Sequence, residues 1–154
     1  MSEESVFDPE AFLNGTIGGA NSTKRLVVDA GTYPAFISDL KVERGTVKKE
    51  GANFGKPWTR LDVVWEIEDH ALKAKMDRDK VTVFQGIMLE FDENGTLAMG
   101  KGKNVQLGRL REAIGLNEGP VAFHSFRGRP AMIKVDHEIY NNDPVERVTN
   151  VAKR

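Results

Sequence analysis

A chain of 154 residues, 40% hydrophobic and 29% charged, carries enough apolar material for one domain with its own core and too much for a disordered segment. Its apolar runs are far too short to span a bilayer, and the absence of cysteine excludes disulfides, thiol catalysis and cysteine-based zinc sites. A net charge of −1 gives no global attraction to a polyanion, so binding of that kind has to come from local patches.

The opening MSEESVFDPE is acidic and lacks the basic and apolar regions of a secretory leader; a reducing cytoplasm suits a chain without cysteine. Asp8 is a good N-cap, Pro9 suits a first helical position, and Phe7 and Phe12 occupy the two positions of a hydrophobic staple. NGTIGGANSTKR is rich in Gly, Asn, Ser and Thr and reads as a linker. Residues 1–26 are therefore expected to form an arm, and residues 27–154 the domain.

A first strand is predicted over 32–42, with Pro34 near its start or at an edge. A long loop, ERGTVKKEGANFGKP, leads to the clearest strand, 58–68, where Leu61, Val63, Trp65 and Ile67 alternate with polar positions. Residues 69–79 read as a short helical or irregular connection. A third strand over 80–91 puts Val81, Val83, Ile87, Leu89 and Phe91 on one face, with Gln85 as the exception. After the DENG turn and a glycine-rich loop, Leu107, Leu110 and Ile114 recur at helical spacing between Asn104, a candidate cap, and Gly115. Strands over 131–138 and 145–152 close the sequence. Three strands, a helix and two strands give the expected fold class. It is mainly β, an OB-fold-like five-stranded antiparallel barrel with one helix between strands 3 and 4, plus an N-terminal arm. A helix packed on an open antiparallel sheet is the competing architecture.

Gly95-x-x-x-x-Gly100-Lys101 resembles a phosphate-binding loop, but the motif needs Ser or Thr next, to hold Mg²⁺, and the sequence has Gly102. The loop is expected to be a basic crossover, in which Lys101 and Lys103 precede a helix start able to attract a phosphate. The three histidines lack metal-binding spacing, and no nucleophile motif is present. Neither an enzyme nor a cofactor nor a metal is expected. The enzymatic readings that remain, a nucleotide hydrolase or a nuclease with dispersed carboxylates, would each announce themselves by Mg²⁺-dependent turnover.

Charge is unevenly spread. Lys48, Lys49, Phe54, Lys56, Trp58 and Arg60 interleave cations with rings in the long loop and the strand after it. Alternation sends Trp58 and Arg60, and Phe84 on the third strand, to the face opposite the core. Arg127 and Arg129 lie in FHSFRGRP, a second mixed aromatic and basic stretch. Phosphates bind Lys and Arg, and unpaired bases stack on aromatic faces, so these residues with Lys101 and Lys103 form a candidate surface for single-stranded nucleic acid. The plainer alternatives are a solvated mixed-charge surface, rings covered by the arm or a second subunit, and phenylalanines that cap a barrel end.

FDPEAFLN, ANSTKR, AGTYPAFISDLK, GKPWTRLDVVWEI, VTVFQGIMLEF, MGKGKNVQLGRLREAIGL and VERVTNVAK together cover most of the chain. In this pattern it resembles small tailed-phage proteins of the single-stranded-DNA-binding-like kind. The resemblance implies a replication or recombination accessory with an OB-like fold in the host cytoplasm. Its partners would be single-stranded DNA and phage or host replication and recombination proteins, with no membrane. It carries over no catalytic residue. Bacterial single-strand binders often end in an acidic tail that recruits partners; this sequence ends in Lys153 and Arg154, so recruitment by that route is not expected. A phage structural or interaction module, docking through Phe7, Phe12 and Leu13 of its arm, is the alternative function. The sequence leaves DNA versus RNA and the oligomeric state open.

Overall fold

The computed structural model describes residues 6–154; Glu3 and Glu4 of the acidic opening lie outside the described residues. The chain runs α1 (Pro9–Leu13), β1 (Gly31–Thr46), β2 (Pro57–Ile67), α2 (His70–Met76), β3 (Thr82–Leu89), α3 (Val105–Ala113), a 3₁₀ turn (Phe123–Phe126), β4 (Pro130–Tyr140) and β5 (Asp143–Ala152). The strands form one sheet in the order β3-β2-β1-β4-β5, every neighbour antiparallel. The fold is therefore mainly β, with helices between strands, as the alternation predicts. The edge strands β3 and β5 approach each other without a hydrogen-bonded ladder, so the sheet is not closed, and α3 packs against both. No helix among the described residues is long and apolar enough to cross a membrane.

β1 organises the sheet. Its first part, Gly31 to Phe36, pairs with β4, and from Ala35 to Thr46 it pairs with β2. Between Ile37 and Asp39 the register shifts, leaving Ser38 as the extra residue of a bulge; its hydroxyl donates to the Val64 carbonyl at 3.3 Å. A bulge bends a strand and increases its twist, which lets one strand serve both halves of a curved sheet.

The inner face is built by alternation. Ala35 and Ile37, then Leu61, Val63, Trp65 and Ile67, then Val81, Val83 and Ile87, then Ala131, Ile133 and Val135 are all buried. Leu107, Leu110 and Ile114 bring the apolar stripe of α3 onto them, and Phe126, Val28 and, from α2, Leu72 and Met76 complete the cluster. Each of the Val, Leu, Ile and Phe side chains contributes about 1.5–3 kcal/mol when fully buried. Gln85 shares that face because Trp65 requires it: the indole Nε1–H donates to Gln85 Oε1 at 2.9 Å, pairing two polar groups inside the core.

The arm begins as predicted. Asp8 Oδ1 accepts from Glu10 N at 3.1 Å, and the Phe7 and Phe12 rings stand 5.3 Å apart. The α1 side chains are all exposed. The chain becomes tied to the sheet at Lys24 and Arg25, which pair with Asp143 and Glu146 of β5 at 2.9 Å each, and at Val28, which enters the core.

Three local expectations need correction. Phe91 is 47% exposed: β3 ends at Leu89, and the chain folds into a Phe91–Leu97 bridge around the DENG turn. Asn104 stands at the N-cap of α3 but in a left-handed conformation (φ 48°), and its side chain caps nothing. Instead it pins the loop, accepting from Glu90 N at 2.8 Å and donating to Glu90 O and Ala98 O. β4 runs on to Tyr140, because Asn141 and Asn142, at φ 49° and 65°, make a two-residue hairpin turn.

Candidate nucleic-acid interface

The registers of β1, β2 and β3 lay out the outer face row by row. Gly45 lies opposite Trp58; Glu43 opposite Arg60, which faces Met88; Lys41 opposite Asp62, which faces Gly86; Asp39 opposite Val64, which faces Phe84. Glycine recurs where a large side chain lies flat. A Cβ on Gly45 would stand 2.5 Å from Trp58 Cζ2, and one on Gly86 would stand 2.9 Å from Arg60 Cδ. Trp58 is thus half-buried against the backbone of β1, with the Arg60 guanidinium 5.5 Å from its ring centroid, within cation–π range. Phe84 is 57% exposed and Met88 52%.

Among the described residues most cations on this face are matched, Lys41 being the exception. Arg60 holds Asp62 through two bonds, Nε–Oδ1 at 2.6 Å and a second at 3.1 Å. Lys80 reaches Glu66 at 3.5 Å, and Arg127 reaches Asp39 at 3.1 Å. The Leu40 N–H, and after it Arg127, hold the Asp39 carboxyl below the usual carboxylate range. The middle of the face is therefore close to neutral.

Unmatched positive charge gathers elsewhere. None of the ion pairs among the described residues includes Lys48, Lys49, Lys56, Lys101, Lys103 or Arg129. Lys48, Lys49, Phe54 and Lys56 lie on the β1–β2 loop, which turns at Gly51 and Gly55 and is held by Val47 N–Lys56 O at 2.9 Å. Phe54 is 63% exposed. The loop carrying Lys101 and Lys103 leaves the sheet at the same end, because Leu89 lies opposite Thr59, two residues from the start of β2. The helix start itself offers less than expected: the Glu90 carboxylate already accepts from Asn104 N at 2.8 Å. The phosphate-loop geometry is also missing, since β3 is an antiparallel edge strand and not a buried parallel one. In FHSFRGRP, Phe126 is core and Phe123 is 38% exposed, while Arg127 reaches the outer face beside β1.

Four further residues join this surface. Phe84 borders a cleft of about 270 Å³ at the seam between the two edge strands, facing Tyr140, Val145 and Arg147 of the β4–β5 hairpin and Arg25. Tyr140 is 64% exposed. Arg147 is paired with Glu138 at 2.6 Å, and Arg25 with Glu146. Two rings and two guanidinium groups thus surround a space of nucleobase size. The signal was present in IYNNDPVER: a two-residue Asn-Asn turn extends both strands, and alternation then sends Tyr140, Val145 and Arg147 to the outer face.

His137, at inward parity, points Nε2 at the Val28 carbonyl, 2.5 Å away, which gives it a structural partner. A separate apolar cleft of about 480 Å³ lies between the 97–99 and 117–123 segments over Leu107 and Phe126. Its Arg111 is spent on the Leu116 and Gly119 carbonyls. Among the described residues no group of three or more His, Asp or Glu side chains could hold a metal ion. A scan of protein-family models finds no match for this chain, and a search of curated proteins finds none.

Proposed function

We propose that the protein is a non-catalytic, largely sequence-independent binder of single-stranded DNA, acting in phage DNA replication or recombination in the host cytoplasm. Bases would stack on Trp58, Phe84 and Tyr140 along the outer face, and phosphates would contact Lys48, Lys49, Lys56, Lys101 and Lys103 at one end and Arg129 further along, next to Ile37 of β1. The observation that carries this reading is the exposure of Phe84 and Tyr140 on either side of one seam, since a soluble surface gains nothing from two free rings there. Strand order, a bulged first strand shared by both halves of the sheet, and a helix between β3 and β4 support an OB-like arrangement, open at the β3–β5 seam. In OB-folds the second and third strands and the loops β1–β2 and β4–β5 bind oligonucleotides; the three rings and Lys48, Lys49 and Lys56 occupy those positions here, while Lys101 and Lys103 lie on the β3–α3 loop. The test is fluorescence anisotropy of labelled oligo-dT at two salt concentrations. Binding that weakens steeply with salt supports the reading; absence of binding at low salt, or salt-insensitive binding, removes it.

One observation favours a second reading, an assembly module. Phe7 and Phe12 are 67% exposed and Leu13 72%, on a helix that buries nothing. Under that reading Phe7→Ser with Phe12→Ser abolishes assembly, and oligo-dT binding is absent with or without the substitutions.

A further inference from the structure

Among the described residues β1 has an unpaired edge. The last backbone bonds on its β4 side are Ile37 N to Arg129 O at 3.0 Å and Gly128 N to Ile37 O at 2.7 Å. Beyond the bulge, β1 pairs with β2 alone as far as Thr46. In an antiparallel ladder alternate residues bond to the neighbour and the residues between them point their N–H and C=O away. Val47 bonds across to the second strand, through Lys56 O and Gly55 N, so Gly45, Glu43 and Lys41 do the same. Val42, Arg44 and Thr46 therefore present their backbone groups to solvent, as does the Leu40 carbonyl. The Leu40 N–H is taken by Asp39 Oδ1 at 2.8 Å. Pro57, opposite Thr46, fits the same phase, because a proline there gives up no bond to β1. Val42 is 61% exposed although its parity is that of the core. An unprotected strand edge with an uncovered apolar side chain is a template for another strand.

We propose that this edge pairs with the same edge of a second copy, antiparallel about a two-fold axis at Val42. Opposed residues on paired strands must share a face, so a two-fold ladder has to place some residue opposite itself. Centring on Lys41, Glu43 or Arg44 sets like charges against each other. Centring on Leu40 carries Arg44 onto Phe36, whose edge Pro130 already occupies. Centring on Val42 puts Lys41 opposite Glu43 of the second copy, twice, on the outer face, and Val42 against Val42 on the inner one. The exposed groups then find partners: Val42 N–H and C=O bond to those of the second Val42, and each Arg44 N–H meets a Leu40 carbonyl. Opposite charges directly across a strand pair favour it, and like charges oppose it. The outer faces of two copies would then continue into one another across the axis. The inference stands whether or not those faces bind DNA.

Because the chain has no cysteine, single-cysteine variants read the register directly. A bonded antiparallel pair has Cα atoms about 5.5 Å apart, within disulfide reach, whereas residues displaced by four positions along each strand lie well beyond about 7 Å. Val42→Cys should oxidise to a covalent dimer of twice 17.1 kDa, and Arg44→Cys should not. Sedimentation of the unaltered chain should give the dimer mass. Lys41→Glu should weaken the dimer about tenfold or more, and adding Glu43→Lys should restore it. A monomer at the highest concentration reached, cross-linking of Arg44→Cys as fast as Val42→Cys, or a charge swap that fails to restore the dimer while circular dichroism shows a native sheet would each overturn the proposal.

Discussion

The indole of Trp58 lies so close to Gly45 that a Cβ there would come within 2.5 Å of Cζ2 and 2.8 Å of Cε2. The absent side chain on β1 is what lets a large ring on β2 lie flat as a platform. Gly45→Ala should push the ring off the backbone and red-shift Trp58 emission. Removing a strand glycine offsets part of the strain, so stability should change by no more than about 1 kcal/mol. Oligo-dT affinity should fall by up to about tenfold, the scale of one lost base stack. Unchanged emission and affinity would mean that the ring does not need this bed.

The Trp65–Gln85 bond inside the core gives a second test, independent of function. Gln85→Leu leaves the indole N–H unsatisfied in an apolar surrounding and should cost about 1–3 kcal/mol in urea unfolding. Adding Trp65→Phe removes the stranded donor as well, so the double variant should lose less than the sum of the singles. Strict additivity would mean that the bond contributes nothing.

The lysines of the β1–β2 loop make a prediction about salt. Each phosphate contact to a single strand contributes about −0.7 to the slope of log K against log salt. Lys48→Ala, Lys49→Ala and Lys56→Ala together should therefore flatten that slope by about 2, with the fold unchanged. A slope that stays the same would place the phosphates elsewhere.

Much of this layout was legible in the sequence, and the failures have physical causes. β2 and β3 were readable because one of their faces is buried and period two follows. Gln85 looked like an exception only because its partner, Trp65, is twenty residues away in sequence. The Ser38 bulge leaves no mark in composition, yet it sets which face Asp39 and Lys41 take. Tyr140 falls beyond the strand predicted over 131–138 because two asparagines and a proline mask a two-residue hairpin that carries both strands further. The neutrality of the outer face was hidden by sequence distance: Arg60–Asp62 can be guessed from spacing, but Arg127–Asp39 joins residues 88 apart. The free edge of β1 is a property of the pairing, which no single strand reveals.

Acid should expose the Asp39 contacts. Bonds from Leu40 N–H and Arg127 lower its carboxyl in the folded chain, and Thr96 does the same for Asp92. A group whose folded value is depressed adds stability above its unfolded value, near 3.9, and loses that contribution as pH falls through the lower folded value. The urea midpoint should therefore be flat from neutral pH to about 5 and fall below about 4. Asp39→Asn should make that fall shallower. An equally steep fall in the variant would assign the acid sensitivity to other carboxylates.

The central claim is that rings on the outer face hold unpaired bases, and the affinity of Trp58→Ala with Phe84→Ala for oligo-dT tests it most directly. Base–aromatic stacking contributes about 1–3 kcal/mol per base, so the double variant should bind about thirtyfold or more weakly at fixed salt while its circular dichroism and urea midpoint stay near those of the unaltered chain. A folded double variant that binds oligo-dT as tightly as the unaltered chain would contradict the account.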